Sequence, residues 1–365
     1  MRIQELDSLR GLAIVGVLSV HALVHCEGYD VIDPPVNILY TLLALAGRIG
    51  VPAFILISGF FLTRAELSDE NILSVVRSRI LRILPPYLIW STIYYFITYL
   101  FFQTEIPTRH FAVIFLEKLA TGTVSWHLYF IYLLMQYYCL AAIGVCRRGN
   151  TSKRELLFFT TLQIGFISLC YFCALQQAVT GMPLEKPLYY FQAYRLSVFP
   201  MYIGYFLLGR WLGANYDAVL AAVSRKRTFF FMIGILGTIV SFGEVYWFRA
   251  IHTDGSLLPA DWMIGTNLFV IGTLGILMPA LKKVKEGYGK DVLSRFAAWS
   301  FVIYLLHEPL MEHIGTLLHD VLYDFPGSQL FICILMIGIT PLLCRLAFAM
   351  TSIVLAKKWV RIVFG

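Results

Sequence analysis

The sequence predicts an all-α, polytopic integral membrane protein. Three observations carry that reading: 59% of the residues are hydrophobic, only 14% are charged, and the mean hydropathy is +0.73. A soluble domain carries roughly 25% charged residues. These 365 residues hold too little polar surface to coat a globule in water. Length alone would suggest two or three soluble domains, but composition overrules it, and residues 1–365 are expected to form a single transmembrane domain. The first apolar run does not read as a signal peptide. Glu5 and Asp7 precede it, no small-residue cleavage site stands out, and further apolar segments follow.

A bilayer-spanning helix needs about 20 apolar residues. Ten runs meet that length, at about 9–26, 37–63, 83–102, 126–145, 156–179, 191–213, 228–250, 261–281, 296–318 and 328–355. The polar breaks between them alternate in charge. One set is basic, as in "CRRGNTSKRE" and "KKVKEGYGKDVLSR", and the other is nearly free of Lys and Arg, as in "EGYDVIDPPV" and "IHTDGSLLP". The N-terminus, the basic breaks with Arg210, and the tail hold 22 of the 29 basic residues. The opposite set holds only Arg109, Lys118, Lys186, Arg195 and Arg249, while Arg48 and Arg345 fall inside spans. The positive-inside rule then places both termini in the cytoplasm, with ten helices. "HFAVIFLEKLA", within 103–125, is amphipathic and too short to span, and is expected to lie on the outer interface.

This placement accounts for most of the net charge of +7. The basic cytoplasmic face suits membrane lipids or an anionic cofactor, and no nucleic-acid partner is expected. The seven cysteines are scattered, and the Cys170/Cys173 pair lies in an apolar run, where packing is the expected role. There is no Gly-rich phosphate loop, zinc-type spacing or internal repeat, and no break is long enough for a soluble domain. The chemistry is therefore expected between helices, without a metal.

Ionisable groups inside a membrane are costly and mark function by default. Arg10 and His21 are eleven residues apart, which is three helical turns plus about 20°, so they share a face with an axial separation of about 16 Å. Asp7 and His25 fall within about 60° of Arg10 on the same wheel. The competing reading has Arg10 snorkelling to lipid phosphate and His21 binding a buried carbonyl. Arg48 sits near mid-depth in the second span, where an Arg costs at least ~2.5 kcal/mol, and Pro52 with Gly47, Gly50 and Gly59 permits a kink there and close helix approach. Arg79 and Arg82 form an RxxR on one face, with Arg77 nearby; they suit either a positive-inside anchor or a phosphate clamp. His127, His307, Glu308, Glu312, His313 and Glu244 complete the set of membrane-embedded candidates, with Glu244 expected to neutralise an embedded cation. Adjacent helical residues point about 100° apart, so His307 and Glu308 are not expected to pair simply with each other.

The chain resembles membrane acyltransferase family 3, the bacterial O-acyltransferases of surface glycans. The resemblance lies in "LDSLRGLAIVGVLSVH" with its R-x10-H, "VPAFILISGFFL", "RSRILRILPPY" with its RxxR, "SWHLYF" and "SFVIYLLHEPLM", in that order along essentially the whole chain. It implies ten helices in the bacterial cytoplasmic membrane. It implies transfer of an acyl group, usually acetyl, from cytoplasmic acyl-coenzyme A to a hydroxyl of a lipid-linked or exported glycan. The family's essential Arg and His correspond to Arg10 and His21, and its RxxR to Arg79 and Arg82. Many members carry a carboxylate about seven residues after the His of the fourth-span motif, where this chain has Leu134. Some append an SGNH-type hydrolase domain that has no counterpart here, so a stand-alone enzyme is expected.

On this reading Arg77, Arg79, Arg82 and Arg10 hold the coenzyme's phosphates. His21 is the general base or acyl carrier, Arg48 stabilises the oxyanion, and His307 is the third catalytic candidate. The alternative is a proton-coupled transporter or exporter of a surface polysaccharide that uses His21 as a relay. The absence of an inverted repeat speaks against it.

Overall fold

A computed structural model describes residues 3–26, 34–68, 71–102, 111–144, 151–180, 184–251, 260–284, 287–322 and 328–365. Of these, 90% are helical and none lies in a strand. In chain order the helices are α1 (Gln4–Cys26), α2 (Pro34–Gly47), α3 (Gly50–Leu67), α4 (Ile72–Phe102), α5 (Phe111–Thr121), α6 (Tyr129–Ala142), α7 (Lys153–Thr180), α8 (Lys186–Tyr194), α9 (Ile203–Ala214), α10 (Tyr216–Arg225), α11 (Arg227–Ile251), α12 (Ile264–Lys283), α13 (Tyr288–Leu322), α14 (Ser328–Val354) and α15 (Lys357–Phe364).

Seven described stretches are long and apolar enough to cross a membrane: α1, α2 continuing into α3, α4, α7, α11, α12 and α14. They fall on seven of the ten expected runs. Of the other three, 126–145 forms the shorter α6, 296–318 lies inside the 35-residue α13, and 191–213 is broken. The short α5 matches the amphipathic segment expected near 103–125, and residues 103–110 lie outside the described part.

The chain divides into two compact units, with the boundary inside α3 between Ile57 and Ser58. The first comprises 1–57, 174–181 and 215–350. In it α1 packs along α13, and also against α2 and α12. A side chain at Gly11 would collide with the backbone of Leu293, so only glycine permits this approach of α1 to α13. Gly16 of α1 faces Gly47, and Gly50 faces the backbone of Ala13, so α2 and the start of α3 lie close on α1 as well. Acidic Glu5 and Asp7 in the first turn of α1 and His25 in its last suit the helix dipole. Fully buried Leu9, Ile14, Leu18 and Leu23 supply its core face. The helix breaks at Arg48 and Ile49, between two glycines, as the expected kink requires. α11 and α12 pack closely, with Gly234 facing Gly272 and Gly265 against Ser241.

The second unit comprises 58–173, 182–214 and 351–365. α6 packs on α4, and so does α15, where the Trp90 indole donates to the Val363 carbonyl at 3.0 Å. Arg210, expected among the cytoplasmic charges, is instead fully buried and pairs with both oxygens of Glu66 at 3.0 and 2.9 Å. A bidentate guanidinium–carboxylate fork is the form in which such a charge is tolerated inside. The run 191–213, expected to be one helix, ends α8 at Tyr194, passes through two short 3-10 turns and extended Val198, and restarts as α9. Pro200 lies in the second turn and has no N–H to continue a helix. The freed backbone groups are met by side chains. Gln136 donates to the Ser197 carbonyl and accepts from the Phe199 amide, Tyr137 donates to the Phe199 carbonyl, and Gln163 accepts from the Gly204 amide.

Candidate active site

α1 and α13 bring three ionisable side chains of the first unit together. His21 Nδ1 lies 2.9 Å from Glu308 Oε2 and 3.2 Å from His307 Nε2. All three residues are buried, His307 completely. The two imidazoles meet edge to face, with centroids 4.5 Å apart. One turn along α1, His25 Nε2 lies 3.5 Å from the other oxygen, Glu308 Oε1. His307 and Glu308 do not pair with each other through consecutive positions; both converge on His21. Pro309 follows immediately and has no N–H for the Leu305 carbonyl, so the α13 ladder is interrupted beside the site.

The protons can be placed from the partners. His307 Nδ1 faces two carbonyl oxygens, of Tyr304 at 2.8 Å and Ile303 at 3.1 Å, so it carries the hydrogen. In the neutral ring His307 Nε2 is then an acceptor. His21 Nδ1 therefore faces an acceptor nitrogen and a carboxylate oxygen, and must be the donor. The lone pair of neutral His21 sits on Nε2. A carboxylate that binds Nδ1–H fixes the tautomer and ring orientation, and stabilises the imidazolium formed when Nε2 takes a proton.

Arg48, at the α2–α3 break, is held by Asp261, with Nη1 to Oδ2 at 3.0 Å. His21 lies within electrostatic reach of Arg48, His25 and Glu308. Asp261 is in turn seated by Asn267, whose amide donates to the Asp261 and Met263 carbonyls. Arg10 is half-buried on α1, three turns before His21, and its neighbour Gly11 touches α13. Glu244, expected to neutralise a cation, instead accepts the backbone N–H groups of Ile264 and Gly265 at 3.0 and 2.9 Å. It caps the N-terminus of α12 from α11, where orphan donors and the helix dipole favour a carboxylate.

The RxxR arginines belong to the second unit. Arg77 and Arg82 are exposed on α4. Arg79 is half-buried, with its guanidinium carbon 5.5 Å from the Tyr138 ring centroid. His127, also in that unit, is buried with Nδ1 3.0 Å from Ser125 Oγ and its ring against Tyr94. Leu134 is buried in α6. Further along α13, Glu312 is half-buried and His313 is exposed. Asp261 and the capping role of Glu244 have no signature in the sequence. Glu308 was visible as an embedded carboxylate, but its partner was not.

The family model of the acyltransferase domain Acyl_transf_3 matches residues 3–345. The chain is 25% identical over 300 residues to proteins from Staphylococcus aureus strains MRSA252, MSSA476 and MW2, each named a probable poly-beta-1,6-N-acetyl-D-glucosamine export protein. That similarity spans 80% of this chain and 78% of each relative. No solved structure matches.

Proposed function

Because this multi-pass membrane protein belongs to the Acyl_transf_3 acyltransferase family, we propose that it moves an acyl group, acetyl first among candidates, from acyl-coenzyme A to a hydroxyl of a membrane-associated glycan. The observation that carries this reading is the buried Glu308–His21 hydrogen bond, which keeps the ring hydrogen on Nδ1 and puts the basic lone pair on Nε2. In the proposed reaction His21 Nε2 takes the acceptor hydroxyl's proton as its oxygen attacks the thioester carbonyl. The tetrahedral intermediate collapses, the C–S bond breaks, and the coenzyme thiolate recovers the proton from His21. Glu308 stabilises the imidazolium between the two steps. Arg48, held by Asp261, supplies a fixed positive charge near His21 for the developing oxyanion. His307 orients His21 from the side opposite its reactive nitrogen.

Donor recognition is proposed for Arg10, Arg77, Arg79 and Arg82 on the strength of the R-x10-H and RxxR motifs and the affinity of guanidinium forks for phosphates. The protein is proposed to reside in a bacterial cytoplasmic membrane with both termini inside, which agrees with the distribution of basic residues.

Incubating detergent-purified protein with acetyl-coenzyme A and the surface glycan of its host tests the reaction. The expected result is a mass gain of one acetyl group on the glycan, with release of coenzyme A. Absence of acetyl-coenzyme A binding would overturn it.

The relatives' name favours a second reading, export of a polysaccharide. In that case reconstituted vesicles would move the glycan across the bilayer with no acyl donor present, and His21→Ala would stop translocation.

A further inference from the structure

We propose that His21 Nδ1, His307 Nε2 and the Glu308 carboxylate form a binding site for a divalent transition ion of the zinc type, and that filling it switches off acyl transfer. The second half rests on the proposed role of His21; the binding site does not.

The donor set comes first. Two imidazole nitrogens and one carboxylate suit zinc, whereas magnesium and calcium prefer all-oxygen sites. The three ligand atoms lie within 4.8 Å of one another. Zinc bonds nitrogen and oxygen at about 2.0–2.2 Å, so neighbouring ligands of a tetrahedral ion are about 3.3–3.5 Å apart. His21 Nδ1 is 2.9 Å from Glu308 Oε2 and 3.2 Å from His307 Nε2. Those two edges need to open by about half an ångström or less to admit the ion, while the third, between His307 and Glu308, is within 4.8 Å and closes by at most about 1.5 Å through side-chain rotation.

The surroundings also fit. His307 Nδ1–H donates to the Tyr304 carbonyl, the outer bond that aims an imidazole's second nitrogen at a metal. The side chains of His25 and His21 are 20% and 10% exposed, while His307 is 0%. An ion would therefore enter past His25, which touches Glu308 Oε1, and stop at His307. Three protein ligands leave a fourth position for water.

Inhibition follows from the tautomer. The metal bonds the Nδ1 lone pair, so the single proton of the neutral ring must sit on Nε2. His21 then has no lone pair to take the acceptor's proton, and Glu308 no longer orients it. No bond to substrate is involved, and removal of the ion restores the original state.

The test uses the full-length protein in detergent, stripped with a chelator, then given zinc chloride or cobalt chloride and desalted. Wild type should retain one zinc per chain and give the intense visible bands of four- or five-coordinate cobalt, without thiolate charge transfer. Glu308→Gln and His307→Gln should each weaken zinc binding at least ~10-fold, and His313→Ala, on the exposed turn above, should not. With acetyl-coenzyme A and glycan present, zinc should stop transfer and chelator should restore it. Zinc content and the cobalt spectrum read the site even if the donor proves different. No retained ion, a cysteine-type spectrum, or equal retention by both variants would overturn the site. Stimulation of transfer by zinc would overturn the inhibitory role. If a variant does not fold, the wild-type cobalt spectrum still decides.

Discussion

His21 Nδ1 and Glu308 Oε2 are 2.9 Å apart, although 287 positions separate the two residues. The pair joins the first helix to the thirteenth, and it lies where both helices are buried. Its geometry turns a membrane-embedded histidine from a costly group into an oriented one.

Glu308→Gln should reduce transfer by about 10²-fold or more, with little change in the affinity for acyl donor. The amide preserves shape but cannot stabilise an imidazolium, and an oriented base contributes typically ~10²–10⁴-fold. Steady-state kinetics on variants with wild-type thermal stability would measure it. A change in KM alone would remove Glu308 from the chemistry.

His21→Ala should abolish transfer while leaving coenzyme A binding nearly intact, and His25→Ala should be far milder. His25 meets the far oxygen of Glu308, at 3.5 Å, and not the one that holds His21. Calorimetry with coenzyme A, beside the rate assay, separates the two roles. Loss of folded protein in His21→Ala would mark a structural histidine instead.

Replacing Arg79 and Arg82 together by alanine should weaken acyl-coenzyme A far more than a pantetheine analogue that lacks the nucleotide phosphates. Each charge-assisted bond is worth about 1.5–3 kcal/mol. Equal losses for the two ligands would assign these arginines to membrane anchoring.

Glu66→Gln should cost stability, not donor affinity. It leaves the fully buried Arg210 without its charge partner, and breaking a buried pair from one side costs about 3–5 kcal/mol. Thermal unfolding in detergent reads this directly. A variant as stable as wild type would show that Arg210 is satisfied by other means.

Single cysteines at Ser152 and Lys357, in a cysteine-free background, should react with an impermeant reagent only from the cytoplasm. A cysteine at Ala120 on α5 should react from outside. The expectation rests on the 21 of 29 basic residues that remain in the N-terminus, the basic breaks and the tail once buried Arg210 is set aside. Outside labelling at Ser152 would overturn the expected ten-helix topology with both termini inside.

Much of the helical layout was legible because long apolar runs and alternating charge need no tertiary information. His21, Arg48 and His307 could each be singled out because charge inside an apolar run is conspicuous. Their arrangement could not. Nothing in a one-dimensional pattern says that α13 lies on α1, or that Asp261 reaches Arg48. Arg210 was misread for a related reason. It lies near the end of an apolar run, ahead of the break that closes with Arg225, Lys226 and Arg227, and it was counted with those charges; the return of α3 with Glu66 buries it. Glu244 was assigned a cation because carboxylates inside membranes usually meet one, whereas a neighbouring helix terminus serves as well. Pro200 was a visible signal of the break in 191–213, masked by the apolar residues around it.

That break sets a schedule for biogenesis. In hydrocarbon an exposed amide or carbonyl costs several kcal/mol, so the stretch from Ser197 to Gly204 cannot rest in lipid by itself. Its partners Gln136, Tyr137 and Gln163 all precede it in the chain. Synthesis from the N-terminus therefore puts the receptor side chains into the bilayer first, and the irregular segment arrives to a prepared docking place. A circular permutation that delivered residues 186–214 before α6 and α7 would reverse the sequence of events. It would leave the nascent segment to the translocation machinery or to degradation, though every contact of the finished protein stayed available.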